Sequence, residues 1–464
     1  MKILQRISST IPGFGQEETW QAHMDAGILA YRHGDYVEAE TQYAAALQLA
    51  ETLKPQDQRL ATNLNNLAEL YRAQGKYSEA EPLFNRSLAL NEKMLGSEHQ
   101  NLAAILNNLA LLYRKQGKYD DAEALYKRAL TIAETTQGTE HADVAQTLAN
   151  LAELYYTTGK YAEAAPLSER SLVIREKLLG PDDAEIAKTL INLADIYYAN
   201  SKYAEAEPLY QRSLSIWEKL LGPEDRTVAA SLHSLAKLYH AERKYPEAEP
   251  LYERALVIVE KALGPEHTNG ASIINDLALL HLALGQYNAA EPLLKRALSI
   301  RENALGVEHA EVAISLNNLA QLYTLQSKTP DAEALYKRSL KILENAFGPD
   351  HFEVATSLNN LAELYYTNAR YDEAEPLFQR ALAMSEKALG PDHSDVAAAM
   401  NNLARLYHIQ RKYNEAEQFY KRSLAIWDKT LGPDHPDVIQ TLKELDRVRQ
   451  VLERQADRKG EPLH

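Results

Sequence analysis

Histidine has the broadest chemistry in this sequence, and seven of its 14 copies share one recurring place. His99, His141, His267, His309, His351, His393 and His435 each lie in a short loop between two apolar stretches, and Asp183 and Asp225 fill that place in two further loops. Imidazole and carboxylate both bind zinc, so a row of metal sites is the first chemistry to weigh. Spacing argues against it. Packed helices lie about 10 Å apart, whereas ligands must meet on one ion at about 2 Å. Loop and helix-cap roles suit both residue types, and no metal is expected. Gly159-Lys160 lacks the upstream glycine and the Ser/Thr of a phosphate loop. Carboxylate pairs such as Glu79 and Glu81 fall at helix starts, where the helix dipole favours them. Ser and Thr have no paired base, and there is no HExxH. No catalytic residue and no cofactor emerge.

Asparagine is the second recurring signal. Asn66, Asn108, Asn150, Asn192, Asn318, Asn360 and Asn402 keep one register, with Ser234 and Asp276 in two copies. A second amide often precedes it, as at Asn65, Asn107, Asn275, Asn317, Asn359 and Asn401. Asn costs a helix about 0.6 kcal/mol relative to Ala, so its repetition needs a reason. Each amide could offer a donor and an acceptor to an extended peptide. It could also link adjacent helices as a ladder, and the peptide contact is the favoured reading for at least part of the column. Both can hold at once.

These signals must be positioned by helices. The 464 residues are rich in Ala, Leu, Glu and Tyr and contain only 19 Gly and 6 Phe, which favours an all-α chain. With 65 acidic and 50 basic side chains the formal charge is -15, which repels phosphate backbones and argues against nucleic acid. There is no cysteine, hence no disulfide, thiolate site or thiol nucleophile. The start, MKILQRISSTIPGFG, is too polar for a signal peptide, and no run suits a membrane crossing. A cytoplasmic location is expected.

The sequence repeats every 42 residues: LNNLAELY begins at Leu64, LNNLALLY at Leu106, and variants begin at Leu148, Leu190, Leu232, Ile274, Leu316, Leu358 and Met400. Each copy reads as two helices. Leu64, Leu67, Ala68 and Tyr71 form one apolar stripe at helical spacing. Gly75 supplies a left-handed turn. Ser78 and Glu81 read as a capping box for the second helix, with Pro82 in its first turn. Ala80, Leu83, Phe84, Ser87 and Leu88 give the second stripe, and Gly96 ends it. Neither helix can bury its stripe alone, but stacked copies can. The expected organisation is a lead-in at 1–15, about ten copies over 16–452, and a polar tail at 453–464. The last half copy replaces core positions with Asp446 and Arg449, as a terminal cap would.

Ala68, Tyr71, Ala80, Phe84 and Ser87, with Gly27 in the first copy, resemble the small-large alternation of the tetratricopeptide repeat (TPR). The long unit, with phrases such as LGPDHPDV and KYxEAEPLYxRxL, is similar to the TPR region of kinesin light chains and related prokaryotic arrays. That resemblance implies a right-handed superhelical solenoid, an interaction function and a concave groove lined by the face opposite the first-helix stripe. Groove asparagines in kinesin light chains contact cargo peptides. The repeats here begin without the long heptad region of those chains, so a motor subunit is not expected.

Carried onto this sequence, the groove slots hold the asparagine column and a near-neutral set of charges. Arg72, Arg114, Lys115, Lys188, Lys237 and Arg405 face Glu69, Glu153, Asp195, Asp276 and Glu363. Arg72, Arg114 and Lys115 read as a basic patch for a ligand carboxylate. Tyr156, Tyr198, His240, Tyr366 and His408 offer aromatic contact surface or ordinary lateral packing. The expectation is a non-enzymatic adaptor that holds an extended peptide or partner helix in its groove. The alternatives are a self-assembling scaffold and a regulatory or sensor subunit. The partner, pathway and oligomeric state are not legible.

Overall fold

A computed structural model describes residues 14–52, 57–349 and 351–459. Residues 1–13 of the expected lead-in and 460–464 of the expected tail lie outside the described residues. Every described element is a helix or a connection, and from Phe14 to Gln137 and from Ala184 to Lys459 each helix packs on the next in sequence. The first helix is α1 (Phe14–Arg32), and the last continues to Lys459. In the copy read above, the first helix spans Gln58–Ala73 (16 residues) and the second Tyr77–Leu95 (19 residues).

The turn between them follows from Gly75, whose φ is +75°. The Gly75 N–H donates to the Arg72 carbonyl at 3.0 Å and the Lys76 N–H to the Tyr71 carbonyl at 2.8 Å, which satisfies two terminal carbonyls of the first helix. Five copies make this turn without glycine, at Ser201, Arg243, Ser327, Ala369 and Arg411, with φ between +54° and +62°. Between copies, the loop histidines and aspartates cap the next first helix. Asp183 accepts from the Glu185 N–H, and His267, His309, His351 and His393 accept through Nδ1 from the N–H two residues on. That bond puts the imidazole proton on Nε2.

The second helix does not start as the sequence suggested. Its N-cap is Lys76, and no side chain caps it. Ser78 and Glu81 form no capping box. Glu81 instead accepts from Gln116 and Lys118 of the following copy, at 3.2 and 2.9 Å. Pro82 lies inside the helix, beyond its first turn. This outward-reaching glutamate recurs. Glu207 accepts from Tyr239 and Lys244, and Glu333 from Tyr365, Lys337 and Arg370. Hydrogen bonds from Lys337 and Arg370 lower the Glu333 carboxyl to about 2. The motif glutamate is therefore a joint between copies, bound to the stripe tyrosine and turn lysine of its neighbour.

Small residues let the helices approach. Ser87 is fully buried, and its hydroxyl donates to the Ala61 carbonyl at 2.7 Å. Ser213 and Ser339 repeat the contact on Ala187 and Ala313. In the first copy Gly27 faces the Tyr43 ring, and a Cβ there would lie 2.6 Å from ring carbons.

Contacts divide the chain into two units, Met1–Tyr155 with Pro166–Leu178, and Tyr156–Ala165 with Leu179–His464. The first has cores around Leu64, Phe84 and Leu106, all 0 % exposed. The second is cored by Leu190, Leu232, Leu316, Leu358 and Met400 and ends on the helix Pro436–Lys459. That helix buries Val438, Leu445 and Val448 and exposes Asp446 and Arg449, so one side of it is wet. Ile439 and Leu442 are also exposed on it.

Within the second unit, two loop histidines reach turns far back in the sequence. The His435 Nε2 lies 2.9 Å from the Ser201 hydroxyl, 234 positions away in sequence. At nearly the same separation, His393 hydrogen-bonds the Thr157 backbone and packs where a Cβ on Gly159 would sit, 3.2 Å from its Nε2. Tyr161 bonds Ser394 beside them.

Candidate binding face

In each unit the first helices bury one stripe and turn the other side toward solvent. In the first unit Leu64, Leu67 and Ala68 are buried, while Thr62 and Ala73 are exposed and Asn65, Asn66 and Glu69 are half-buried. The helical period thus leaves Asn65 and Asn66 half-buried beside the buried stripe.

Part of that column is a ladder. The Asn108 amide donates to Asn65 and the Asn150 amide to Asn107, each at 3.5 Å, and Asn107 donates to the Thr147 hydroxyl at 2.7 Å. Asn65 also donates to Asn66 at 3.5 Å. The basic side chains are engaged as well. Arg72 pairs with Glu69 at 2.8 Å, and Arg114, only 8 % exposed, pairs with Glu153 at 2.6 Å. Lys115 is exposed.

The second unit repeats the ladder. Asn318 donates to Asn275 at 2.7 Å, Asn317 to Ser357 at 3.1 Å and Asn401 to Thr441 at 2.6 Å. Asn192 is exposed, and Asn402 accepts from Arg405 at 3.5 Å. Lys188 pairs with Glu185 on its own helix at 2.7 Å. Asn360 lines a recess of about 220 Å³ together with Asn317, Asn318, Tyr336 and Glu363. The neighbouring Asn359 has a buried side-chain oxygen with no hydrogen-bond partner. Tyr366, Arg405, His408, Tyr420 and Glu444 line a second recess of about 530 Å³. There Arg405 is held by Glu363 at 3.2 Å and lies 5.0 Å from the Tyr366 ring centre. The Tyr420 hydroxyl is buried without a partner.

A third group was visible in the sequence only as separate charges. Asp195 on the helix Ala184–Ala199 accepts from the Tyr210 hydroxyl. Asp276 on Thr268–Ala283 contacts His233 Nε2 at 2.7 Å and accepts from the Asn275 amide at 3.2 Å. Burial pushes Asp195 above the usual carboxylate range against the Tyr210 bond and the Lys237 charge. Burial also acts to raise Asp276, but the His233 bond and charge, Asn275 and Lys237 outweigh it and hold that carboxyl low. Lys237 reaches to 6.0 Å from the Tyr198 ring centre. Tyr156 and Tyr198 pack on Tyr161 and Tyr203, each at 5.7 Å between centroids, and Tyr156 keeps 39 % exposure. Burial raises both hydroxyls to about 12. Desolvation lowers His240 at the rim.

Among the described residues, no three His, Asp or Glu side chains are placed to hold a metal ion. No described helix is long and apolar enough to cross a membrane.

The tetratricopeptide repeat family model matches residues 21–93, 101–177, 166–219, 185–261, 227–303, 270–345, 311–387, 353–429 and 395–450. Among solved structures, the putative kinesin light chain nearly identical TPR-like repeats of Podosopora anserina are 28% identical, over 45% of this chain and 98% of theirs, with a TM-score of 0.41. The quorum sensor NprR of B. thuringiensis is 17% identical over 79% of this chain and 99% of its own, with a TM-score of 0.55. A Rap protein complexed with competence and sporulation factor is 16% identical over 80% and 99%, with a TM-score of 0.51. NprR and Rap share the fold at these identities. No curated protein matches the chain.

Proposed function

The chain belongs to the tetratricopeptide repeat family, whose arrays are protein-interaction scaffolds, and from that premise we propose that it is a non-enzymatic adaptor whose first-helix face holds an extended peptide or a partner's helix. The observation that supports this reading is the amide-lined recess at Asn317, Asn318 and Asn360. An amide carries two donors and an acceptor with two lone pairs. The ladder uses one donor of Asn318 and leaves the rest of its capacity facing the recess. An extended backbone needs donors and acceptors at intervals, and a column with an amide in most copies, and Ser234 and Asp276 in two, supplies them. Asn66, Asn108, Asn150 and Asn192 belong to the same reading, as do Arg72, Arg114 and Lys115 toward acidic ligands, with Arg72 and Arg114 first having to exchange their glutamate partners.

The test is an affinity capture from the protein's own cell lysate, read by mass spectrometry, with native protein beside the Asn318→Ala/Asn360→Ala variant. Partners held by the native array and lost by a variant of unchanged helicity support the groove. Partners held equally by both place the binding surface elsewhere. Recovery of the array alone favours the self-assembling alternative.

A further inference from the structure

We infer that the first-helix face of the second unit lies inside a ring of copies closed by His435 and His393, and that it takes a partner segment with a free chain end, a terminal tail or a short peptide, in preference to an internal loop. This deepens the groove reading and rests on it. The row of copies bends toward its first helices. Short side chains are enough to bridge them, Asn318 to Asn275 at 2.7 Å and Asn401 to Thr441 at 2.6 Å. The first helices from Arg226–Ala241 to Phe352–Thr367 also contact one another in series. The second helices are joined by longer side chains, Arg254 to Glu218 and Arg296 to Glu260, both at 2.7 Å. Copies that stand closer on one side than on the other curve toward that side. The first-helix face is thus the inner one.

The same row closes on itself. Ser201 lies in the turn after the first helix Ala184–Ala199, and His435 in the loop before the last helix, Pro436–Lys459. Turns sit at the C-terminal ends of first helices and loops at their N-terminal ends, so this contact joins opposite edges of the row. The His435 Nδ1 accepts from the Asp437 N–H at 3.2 Å, which leaves the Nε2 proton for the Ser201 hydroxyl at 2.9 Å. One copy earlier, His393 accepts from the Asp395 N–H in the same way and its ring reaches the Thr157 backbone, with Ser394 bonded to Tyr161 beside it. The same pairing of loop and turn in successive copies makes a seam. Along the seam no open side remains, and a segment that reaches the inner face there must come in past an end of the ring. A free chain end does so directly. An internal segment carries chain on both flanks and must enter doubled back or wait for the seam to open. Each hydrogen bond of the seam makes its open state about fivefold rarer, and a ligand that needs that state associates more slowly in proportion.

The probes are random dodecapeptides displayed at the N-terminus of a small carrier domain, which leaves one end free. Clones that bind native protein and are lost in Asn318→Ala/Asn360→Ala are kept. Each is then measured by biolayer interferometry in two formats, at the carrier's N-terminus and inserted between two carrier domains. Native protein is expected to associate with the terminal format at least about tenfold faster, from the two histidine bonds of the seam. Ser201→Ala/His393→Asn/His435→Asn, whose amides still cap their helices, should bring the two rates within about twofold. Ser201→Cys/His435→Cys, joined by a bismaleimide in a chain without cysteine of its own, tests the seam even if the triple variant fails to fold. The cross-link should slow the inserted format further and leave the terminal one unchanged. Equal rates for the two formats on native protein overturn the ring and leave the groove reading standing. An inserted format that stays slow in a folded triple variant, or is unmoved by the cross-link, overturns the seam as the barrier. Failure to find any clone that depends on Asn318 and Asn360 overturns both.

Discussion

Ala369 and Gly285 occupy the same turn position in different copies, and exchanging their residue types isolates one energy. Ala369 is exposed and held at φ +57°. Gly285 is at φ +72°, and a Cβ there would meet nothing within 4 Å. Neither substitution therefore changes packing. A non-glycine residue in the left-handed region costs about 1–2 kcal/mol. Glycine's greater freedom in the unfolded chain returns about 0.4–1 kcal/mol of any gain. Ala369→Gly should thus stabilise its turn by about 0.5–1 kcal/mol, and Gly285→Ala should destabilise its own by the same amount. A repeat array opens locally, so the assay is native-state hydrogen exchange. The amides to follow are Arg370, which donates to the Tyr365 carbonyl, and Gln286, which donates to the His281 carbonyl, both at 2.8 Å. Protection should rise about two- to fivefold at Arg370 in the first variant and fall as much at Gln286 in the second. Equal exchange in parent and variants would refute the idea that backbone strain is stored at these turns.

Two further predictions concern single contacts. The side chains of His393 and His435 are 7 % and 8 % exposed, against 45 % for His141 at the equivalent place, and burial lowers both pKa values against the nearby Asp395 and Asp437. A depressed folded-state value means that the unfolded chain takes the proton first, so their contribution is complete above about pH 6.5 and is lost as pH falls below it. Thermal unfolding at about pH 7.5 and about pH 5 should show a larger loss for the native chain than for His393→Asn/His435→Asn, whose amides still cap. Gly27→Ala forces a methyl against the Tyr43 ring and should cost the first copy about 1–3 kcal/mol, seen as faster exchange confined to residues around 20–50; unchanged exchange there would show that the ring yields freely.

The repeat, the helix pairs and the loop caps were legible because each is local. A 42-residue period, an i, i+3, i+4, i+7 stripe and a histidine two residues before a free N–H need no tertiary knowledge. The capping box failed for the opposite reason. Ser78-x-x-Glu81 has the right local spacing, yet Glu81 finds Lys118 and Gln116 in the next copy, partners that exist only once copies stack. The first-helix face showed the same limit, because the side-chain choices that pair Arg114 with Glu153 and Asp276 with His233 depend on neighbouring helices. Non-glycine turns were also hidden, because Ser201 or Arg411 gives no signal that φ will be positive.

The bond between His435 and Ser201 changes how the second unit can come apart. Copies in an open row lose structure from the free end, since the terminal copy has one neighbour and every other has two. Here the copy at the end also grips a turn 234 residues earlier, and His393 does the same at Thr157. Thermodynamically the row becomes a cycle. Fraying at the C-terminus must break the clasp as well as a neighbour interface, and melting any copy between the clasped points disturbs the alignment that the clasp requires. Cooperativity is thereby imposed on an architecture built from stacked neighbours, and the copies around His393 and His435 gain a second set of contacts.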